Sequence, residues 1–267
     1  MDKKPMKSQK IYFIRHAESE NNFIQRQDPE NYKKNRQSNP GITHLGQLQV
    51  KSCSSYLKKR KIIPTQIICS CQKRALETAQ ILNEYFPKAQ VNVKQDICEM
   101  GYCYLYDDNQ QVVSFKGEGR SQLSKEFPKF NFDEDISEEG WNENVGGETE
   151  EDLIKRAQDF IAYLKNYVAD ILRDKNSNET IFIVTHGIFF DKILGEIIDR
   201  KQNSEFTFKK TQNTSITSVD IDQSGQILLN TYNDYVHLED WCLEPQIKKE
   251  AQKYGGLNPE VNAKGML

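Results

Sequence analysis

Three short apolar runs along the chain predict buried β-strands. The runs at 11–14 and 181–184 are rich in Ile, Val and Phe, and polar or turn-forming residues bound each of them. A weaker third run covers 66–69. Continuous apolar runs of this length are typical of strands that are buried on both faces of a parallel sheet. The pattern therefore predicts a central sheet that is covered on both sides.

Between and beyond these runs, apolar residues recur at helical spacing. Thr43 is a good N-cap, and Pro87 ends the next apolar helical pattern. The predicted helices are 43–60, 76–86, 148–173 and 187–198. Two further strands are predicted at 215–221 and 226–232, joined by the turn 222–225. Because strands alternate with helices, we expect a three-layer α/β/α fold with a mainly parallel central sheet.

The segment 102–147 interrupts this alternation. It carries five glycines and shows little periodicity. Insertions of this kind in compact domains are often functional, so we expect a lid over one end of the sheet. The predicted organisation is an N-terminal tail at 1–10, one domain at 11–243 that includes the lid, and a C-terminal tail at 244–267.

Composition and charge exclude several classes of function. The formal net charge is −3 and the isoelectric point is near 5.9, so no global positive field is available for nucleic acid or an anionic membrane. No stretch is long and apolar enough to predict a signal sequence or a membrane span. The six cysteines form no C-x-x-C pair, which favours reduced thiols and a cytoplasmic location.

Charged and histidine residues follow the three predicted strands. Arg15 and His16 come directly after the first, Arg74 lies shortly after the second, and His186 follows the last. Ligands of open α/β sheets bind beyond the carboxyl ends of the strands. A lone histidine at a strand end is most often structural, but here two histidines and two arginines are expected to converge on one crevice.

The motifs around these residues resemble, in order, those of the histidine phosphatase superfamily, whose members are phosphoglycerate mutase-like. The opening R-H-G-E-S motif is matched by 15–19 with Ala17 in place of the usual Gly, and the resemblance spans roughly residues 11–240. The other matching segments are Ile42-Thr43-His44-Leu45-Gly46, Ser70 to Ala79 with Arg74, Ile97 to Gly101 with Glu99, Gly147-Glu148-Thr149, Val184 to Gly187, Asn213-Thr214-Ser215 and His237-Leu238.

The resemblance implies a division of roles. His16 is expected to attack phosphorus, and Glu99 to protonate the leaving alkoxide and later to deprotonate the hydrolytic water. Arg15 and Arg74 offer guanidinium groups that can bind phosphoryl oxygens in bidentate fashion and can take the place of a metal. His186 is expected to act as a further cation on the transferred group.

Substrate binding is expected to involve further contacts. Asn22 and Gly187 join Arg15, Arg74 and His186 as expected substrate-binding residues, with an Asx-turn as the structural alternative for Asn22.

Other types of site fit the sequence less well. Only four residues separate Cys69 from Arg74, and they include no glycine, which argues against the loop of a cysteine phosphatase. His44 and His237 lie outside any recognisable metal motif. We therefore expect neither a metal nor another cofactor.

Within the superfamily, the sequence favours a phosphatase. The residues after Glu99 lack the basic pattern of the mutases, and Lys116 and Arg120 are the nearest cations along the chain. We therefore expect hydrolysis of a phosphate monoester, on a small phosphorylated substrate or a phosphoprotein, beneath an aromatic lid. The expected lid aromatics are Tyr102, Tyr104, Phe115 and Trp141. The alternatives are a phosphoglycerate mutase or sugar bisphosphatase of the same superfamily, and a non-catalytic scaffold on the same fold.

Overall fold

The secondary structure follows the predicted alternation of strands and helices. The computed structural model describes residues 7–142, 147–174, 179–198, 211–240 and 242–258. The strands are β1 (Ser8–Arg15), β2 (Gln66–Ser70), β3 (Gln90–Lys94), β4 (Cys103–Tyr106), β5 (Val112–Phe115), β6 (Phe130–Phe132), β7 (Ile181–Thr185), β8 (Ile216–Asp222) and β9 (Ile227–Asp234). The helices are α1 (Glu20–Gln27), α2 (Tyr32–Asn35), α3 (His44–Lys59), α4 (Lys73–Tyr85), α5 (Arg120–Glu126), α6 (Glu150–Arg173), α7 (Gly187–Ile197) and α8 (Pro245–Ala251).

Seven of these strands form one twisted sheet in the order β6-β3-β2-β7-β1-β8-β9. The pairs from β6 to β1 are all parallel, whereas β8 runs antiparallel to β1 and pairs with β9 as a hairpin. The predicted hairpin at the end of the domain is thereby confirmed. So is the prediction of a mainly parallel sheet in an α/β fold.

Both faces of the sheet are covered, because its buried strands alternate between two apolar cores. In β7, Phe182 and Val184 join the core with α3 and α4, while Ile181 and Ile183 join the core with α6 and α7. Period-two alternation of this kind is what the pleat of a strand imposes. The amphipathic pattern of α6 fits this role, since its apolar stripe, from Leu153 to Ile171, is buried. None of the helices in the described ranges is both long enough and apolar enough to span a bilayer.

The predicted insertion forms a separate hairpin and also adds one strand to the main sheet. Its strands β4 and β5 pair as a separate antiparallel hairpin, and β6 adds a parallel strand next to β3 at the edge of the main sheet. Residues 143–146 of the insertion lie outside the described part of the chain. The role of the segment as a lid stays a prediction.

The prediction of a tail from residue 244 is wrong for residues 245–258. Ile247 and Ala251 of α8, with Leu257 after it, pack against Leu45 and Leu48 of α3 in a third apolar cluster. Pro245 occupies the first turn of α8, where its missing N–H costs nothing. The helix therefore belongs to the folded domain, because it covers a face of α3 that would otherwise be exposed.

Candidate active site

The carboxyl ends of the central strands meet at one edge of the sheet. Arg15 at the end of β1 is in register with Thr185 at the end of β7, and Cys69 of β2 is in register with Val184. A cavity of about 550 Å³ opens at this edge. Its lining includes six of the predicted residues, namely Arg15, His16, Asn22, Arg74, Glu99 and Gly187. The structure therefore brings these six residues together around one cavity, and the seventh, His186, is not among its lining residues.

His16 is held in a defined orientation at the base of the cavity. Its backbone N–H donates to the Thr185 carbonyl at 2.9 Å, which fixes the residue to the end of β7. Its ring Nδ1 lies 2.7 Å from the carbonyl oxygen of Ala17. Because a carbonyl oxygen only accepts, Nδ1 must carry the hydrogen. In the neutral ring, the lone pair is then on Nε2.

Ala17 fits the backbone at a position where the family motif has Gly. Its side chain is fully buried in the apolar core, and its N–H donates to Thr78 Oγ1 at 3.1 Å. Among the described residues, Ala17 is not one of those with a positive φ. The substitution therefore causes no backbone strain of the kind that favours glycine.

Two buried arginines supply the positive charge of the site. The Nη1 of Arg15 donates to the Thr211 carbonyl, and Nη2 of Arg74 donates to Gln72 Oε1 at 3.1 Å. Arg74 lies in the first turn of α4, where the helix dipole also favours an anion. Burial lowers the pKa of the Arg74 guanidinium, which nevertheless stays charged at neutral pH because its ordinary value is so high. The guanidinium groups of Arg15 and Arg74 can both donate hydrogen bonds to one bound oxyanion.

His186 lies beside His16, but as a neutral ring. The two ring centroids are 5.1 Å apart, and Nε2 of His186 is 2.8 Å from Ser70 Oγ. Burial lowers the pKa of His186 well below its usual value, and the charges of Arg74 and Arg15 lower it further. Burial therefore favours the neutral ring in the protein by itself, and the role of His186 as a cation on the transferred group stays a prediction. Its Nδ1 is buried and has no hydrogen-bond partner among the described residues.

The carboxylate of Glu99 is anchored at the start of α7. Its Oε1 accepts from the N–H of Phe189 at 2.9 Å, and its Oε2 accepts from the N–H of Ile188 at 3.1 Å. The N–H of Met100 donates to Oε1 as well, at 3.1 Å. A helix N-terminus stabilises a carboxylate through such bonds and through its dipole. The side chain is thus held on the wall of the same cavity as His16.

The side chain of Asn22 takes part in the capping box of α1, a structural role other than the expected Asx-turn, and its role in substrate binding stays a prediction. Its Oδ1 accepts from the N–H and hydroxyl of Ser19 and from Asn213 Nδ2, in the capping box of α1. Because the oxygen is committed to these donors, the amide nitrogen is the group of Asn22 that can donate to a ligand in the cavity.

Gly187 lies beside the side chain of Arg15 at the start of α7. A Cβ built on Gly187 would lie 3.5 Å from Nε of Arg15, which is an ordinary contact distance. A small side chain such as that of Ala would therefore fit at position 187.

The aromatic residues expected in the lid separate into two groups. Tyr102 and Tyr104 line the cavity, but Trp141 is buried in the core, and Phe115 is 40% exposed on β5. A Cβ on Gly117 would lie 2.4 Å from Trp141 Nε1, so the indole fits only against a residue without a side chain. Trp141 therefore anchors the insertion and does not face the cavity.

Sequence reasoning missed two residues that line or support the site. Gln72 is fully buried, and its Oε1 accepts from both Arg74 and the N–H of Glu99. Arg36, which follows α2, lines the cavity wall. Gln72 lies inside the recognised Ser70 to Ala79 motif, where its polarity was a usable signal, whereas nothing in the sequence around Arg36 placed it near the strand ends.

The charged pair of Glu148 and Arg156 supports the loop that carries Glu99. Arg156 Nε and Nη2 donate to the two oxygens of Glu148, at 2.7 and 2.8 Å. Its Nη1 donates to the carbonyls of Asp96 and Cys98, both at 2.8 Å. Glu148 also accepts from the Tyr102 hydroxyl at 3.3 Å. The pair therefore ties the start of α6 to both sides of the Glu99 loop.

Groups of the kind that bind metals do not cluster in the described ranges. No set of three or more His, Cys, Asp or Glu side chains there could hold a metal ion. Lys116 and Arg120 pair with Glu139 and Glu138 and do not line the cavity.

Comparison with known proteins places these observations in a family. The family model described as histidine phosphatase superfamily (branch 1) matches residues 11–234. No curated protein sequence matches the chain significantly.

Solved structures with the same fold were found at low sequence identity. Bacillus stearothermophilus YhfR is 19% identical with a TM-score of 0.57, over 86% of this chain and 100% of that one. A putative α-ribazole-5′-P phosphatase from Escherichia coli is 16% identical with a TM-score of 0.55, over 86% and 98%. A mycobacterial glucosyl-3-phosphoglycerate phosphatase is 16% identical with a TM-score of 0.54, over 84% and 98%. At these identities, the likeness concerns the fold.

Proposed function

The chain belongs to the histidine phosphatase superfamily (branch 1), and from this premise we propose that it hydrolyses phosphate monoesters through a phosphohistidine on His16, without a metal ion. The family match confirms the predicted superfamily and the prediction of an enzyme of the phosphatase class. The mechanism and the substrate class are the proposal.

The orientation of His16 is the observation that carries the proposal. Since Nδ1 donates to the Ala17 carbonyl, Nε2 is the ring nitrogen that carries the lone pair and would form the bond to phosphorus. As that bond forms, the bond from phosphorus to the ester oxygen breaks. Glu99, which takes up a proton as the dianionic phosphate binds beside it, gives that proton to the leaving alkoxide. Water then attacks the phosphohistidine and gives a proton to Glu99. Phosphate leaves, and the neutral His16 ring is restored.

The surrounding donors are proposed to hold the transferred group. Arg15, Arg74 and the amide nitrogen of Asn22 would bind its oxygens, since all three residues line the same cavity. His186 would complete the set through Nδ1. A bound dianion would oppose both the burial and the arginine charges that lower the pKa of His186, and so would favour a proton on Nδ1.

The proposed substrate is a small phosphorylated molecule. A cavity of about 550 Å³ is within the usual range for small-molecule sites. The names of two neighbours, the glucosyl-3-phosphoglycerate phosphatase and the putative α-ribazole-5′-P phosphatase, support the same class of substrate.

The test is phosphate release from a broad panel of phosphate monoesters, measured with a metal chelator present. We expect wild-type protein to turn over at least one ester, and His16→Ala to reduce kcat by at least about 10³-fold. His44→Ala serves as the control, because His44 is an exposed histidine on the face of α3. Substrate labelled on phosphorus should leave an acid-labile label on wild-type protein and none on His16→Ala.

Three results would contradict the proposal. If His16→Ala still released phosphate at the wild-type rate, His16 could not be the nucleophile. If phosphate release required an added divalent metal ion, the metal-independent mechanism would be ruled out. Faster interconversion of phosphoglycerates than phosphate release, in the presence of a bisphosphorylated primer, would identify a mutase instead.

A further inference from the structure

The side chain of Arg36 forms part of an aromatic wall of the cavity. Its Cζ lies 3.5 Å from the ring centroid of Tyr104, 5.6 Å from that of Tyr32 and 5.9 Å from that of Tyr106. Arg36, Tyr32 and Tyr104 all line the cavity. These residues come from α2, from the position that follows it and from β4, not from the strand ends that carry Arg15 and His16. The wall is therefore distinct from the predicted phosphoryl-binding residues.

The guanidinium of Arg36 lies over the ring of Tyr104, but its hydrogen-bonding capacity is not fully used. Its Nε and Nη1 are buried, and neither has a hydrogen-bond partner among the residues that the structure describes. Burying N–H groups of a cation without acceptors costs free energy, and an oxyanion would remove that cost. Stacking on Tyr104 leaves the edge of the guanidinium plane free to donate, because the ring contacts only its face.

The charge of Arg36 adds to that of the phosphoryl site. Burial lowers the pKa of Arg74, and the positive charge of Arg36 lowers it further, so the two cations are close enough to repel. Two carboxylates also line the cavity, those of Glu99 and Asp191, and both are associated with α7. Glu99 is bonded to the start of α7, and Asp191 lies on α7 itself.

We propose that Arg36 binds a second anionic group of the substrate, a carboxylate or a second phosphate, on the leaving-group side. The inference rests on the proposed function, because it assumes that Arg15 and Arg74 hold the transferred phosphoryl group. It narrows the substrate class to phosphate esters whose leaving group carries an oxyanion. Arg36 lies in the cavity wall, whereas Lys116 and Arg120 do not line the cavity.

The test measures affinity for matched phosphonates, which resist hydrolysis. Benzylphosphonate is compared with 4-carboxybenzylphosphonate, and propylphosphonate with 3-phosphonopropionate and propane-1,3-bisphosphonate, by calorimetry on wild-type protein. We expect at least one doubly anionic compound to bind about tenfold tighter than its singly anionic partner, as for a hydrogen bond between charged groups. Arg36→Gln should abolish this advantage, and Arg36→Lys should keep part of it because the charge remains.

Lys33→Gln is the matched control. It removes the same charge from α2, over the ring of Tyr106, but Lys33 does not line the cavity. We expect it to retain the full advantage. The inference is overturned if no doubly anionic probe binds more tightly than its partner, or if Arg36→Gln weakens both members of a pair by the same factor. Since binding is measured without turnover, these outcomes are separate from a failure of wild-type protein to release phosphate.

Discussion

The carboxamide of Gln72 connects two groups of the candidate active site. Its Oε1 accepts from Arg74 Nη2 at 3.1 Å and from the backbone N–H of Glu99 at 2.8 Å, while its Nε2 donates to the Tyr102 carbonyl at 3.1 Å. A single side chain thus sets the position of the guanidinium relative to the carboxylate loop. Because catalysis depends on such relative positions to within about 1 Å, we infer that Gln72 is a positioning residue.

Gln72→Leu should therefore reduce activity more than it disturbs the fold. The substitution keeps the approximate volume but leaves Arg74 Nη2 and the Glu99 N–H without their acceptor. We expect kcat/KM for a phosphate ester to fall about 10- to 100-fold, because Arg74 loses its orientation.

Gln9→Leu provides the comparison for Gln72→Leu. Gln9 is also buried, but it bonds to the Glu179 carbonyl near the start of β1, away from the cavity. We expect this variant to lose stability and to keep its kcat/KM. Equal kinetic losses in the two variants would show that Gln72 has only a structural role.

At the scale of elements, the ion pair between Glu148 and Arg156 joins α6 to the loop before β4. The side chains are only 2% and 12% exposed. Removing one partner of a buried ion pair leaves an uncompensated charge, which costs about 3–5 kcal/mol. We expect Glu148→Gln or Arg156→Met to lower the free energy of unfolding by about this amount, as measured by denaturant titration.

A double variant distinguishes the stabilisation that comes from the ion pair itself from the cost of burying each charge. Glu148→Gln combined with Arg156→Met should lose less stability than the sum of the single losses, because neither charge is then left alone. Asp159→Asn is the control on the same helix, since the pair of Asp159 with Lys155 is exposed and is expected to contribute less than about 1 kcal/mol. Strictly additive losses at 148 and 156 would show that the two side chains do not stabilise each other.

The sequence predicts the elements that have strong periodic patterns. The buried strands β1 and β7 and the long helix α6 were predicted because both faces of the sheet and one stripe of the helix are apolar. The short strands β3 and β6 were not, because their few residues alternate without a distinctive run. Likewise, the packing of α8 depends on an apolar surface of α3 that is distant in sequence.

The candidate site was predictable to the extent that it depends on strand order. His16, Arg74 and His186 converge because the carboxyl ends of parallel strands lie at one edge. The neutral state of His186 was not predictable, since it follows from complete burial among the arginines. Nor was the role of Arg36, which depends on how α2 packs against β4.

For the whole molecule, the buried histidines link stability to pH. His186 and His237 are both fully buried. Burial lowers the pKa of His186 well below its usual value and that of His237 to about 4. His237 is held by Thr214 Oγ1, 3.0 Å from its Nε2, and it is not one of the residues that line the cavity. In the unfolded chain, both rings take up a proton near pH 6.5.

The free energy of unfolding should therefore fall as the pH is lowered from about 6.5 to about 4. In this window, the unfolded chain binds protons that the folded protein excludes, and each histidine contributes a slope of up to about 1.4 kcal/mol per pH unit. His237→Gln should flatten the curve by that amount without removing a residue of the cavity, and His44→Gln, at an exposed site, should leave the slope unchanged. Denaturant titrations at half-unit steps of pH measure the slopes. Parallel curves for wild type and His237→Gln would mean that His237 takes up its proton in the folded protein as readily as in the unfolded chain. That result would contradict the expected effect of burial on its pKa.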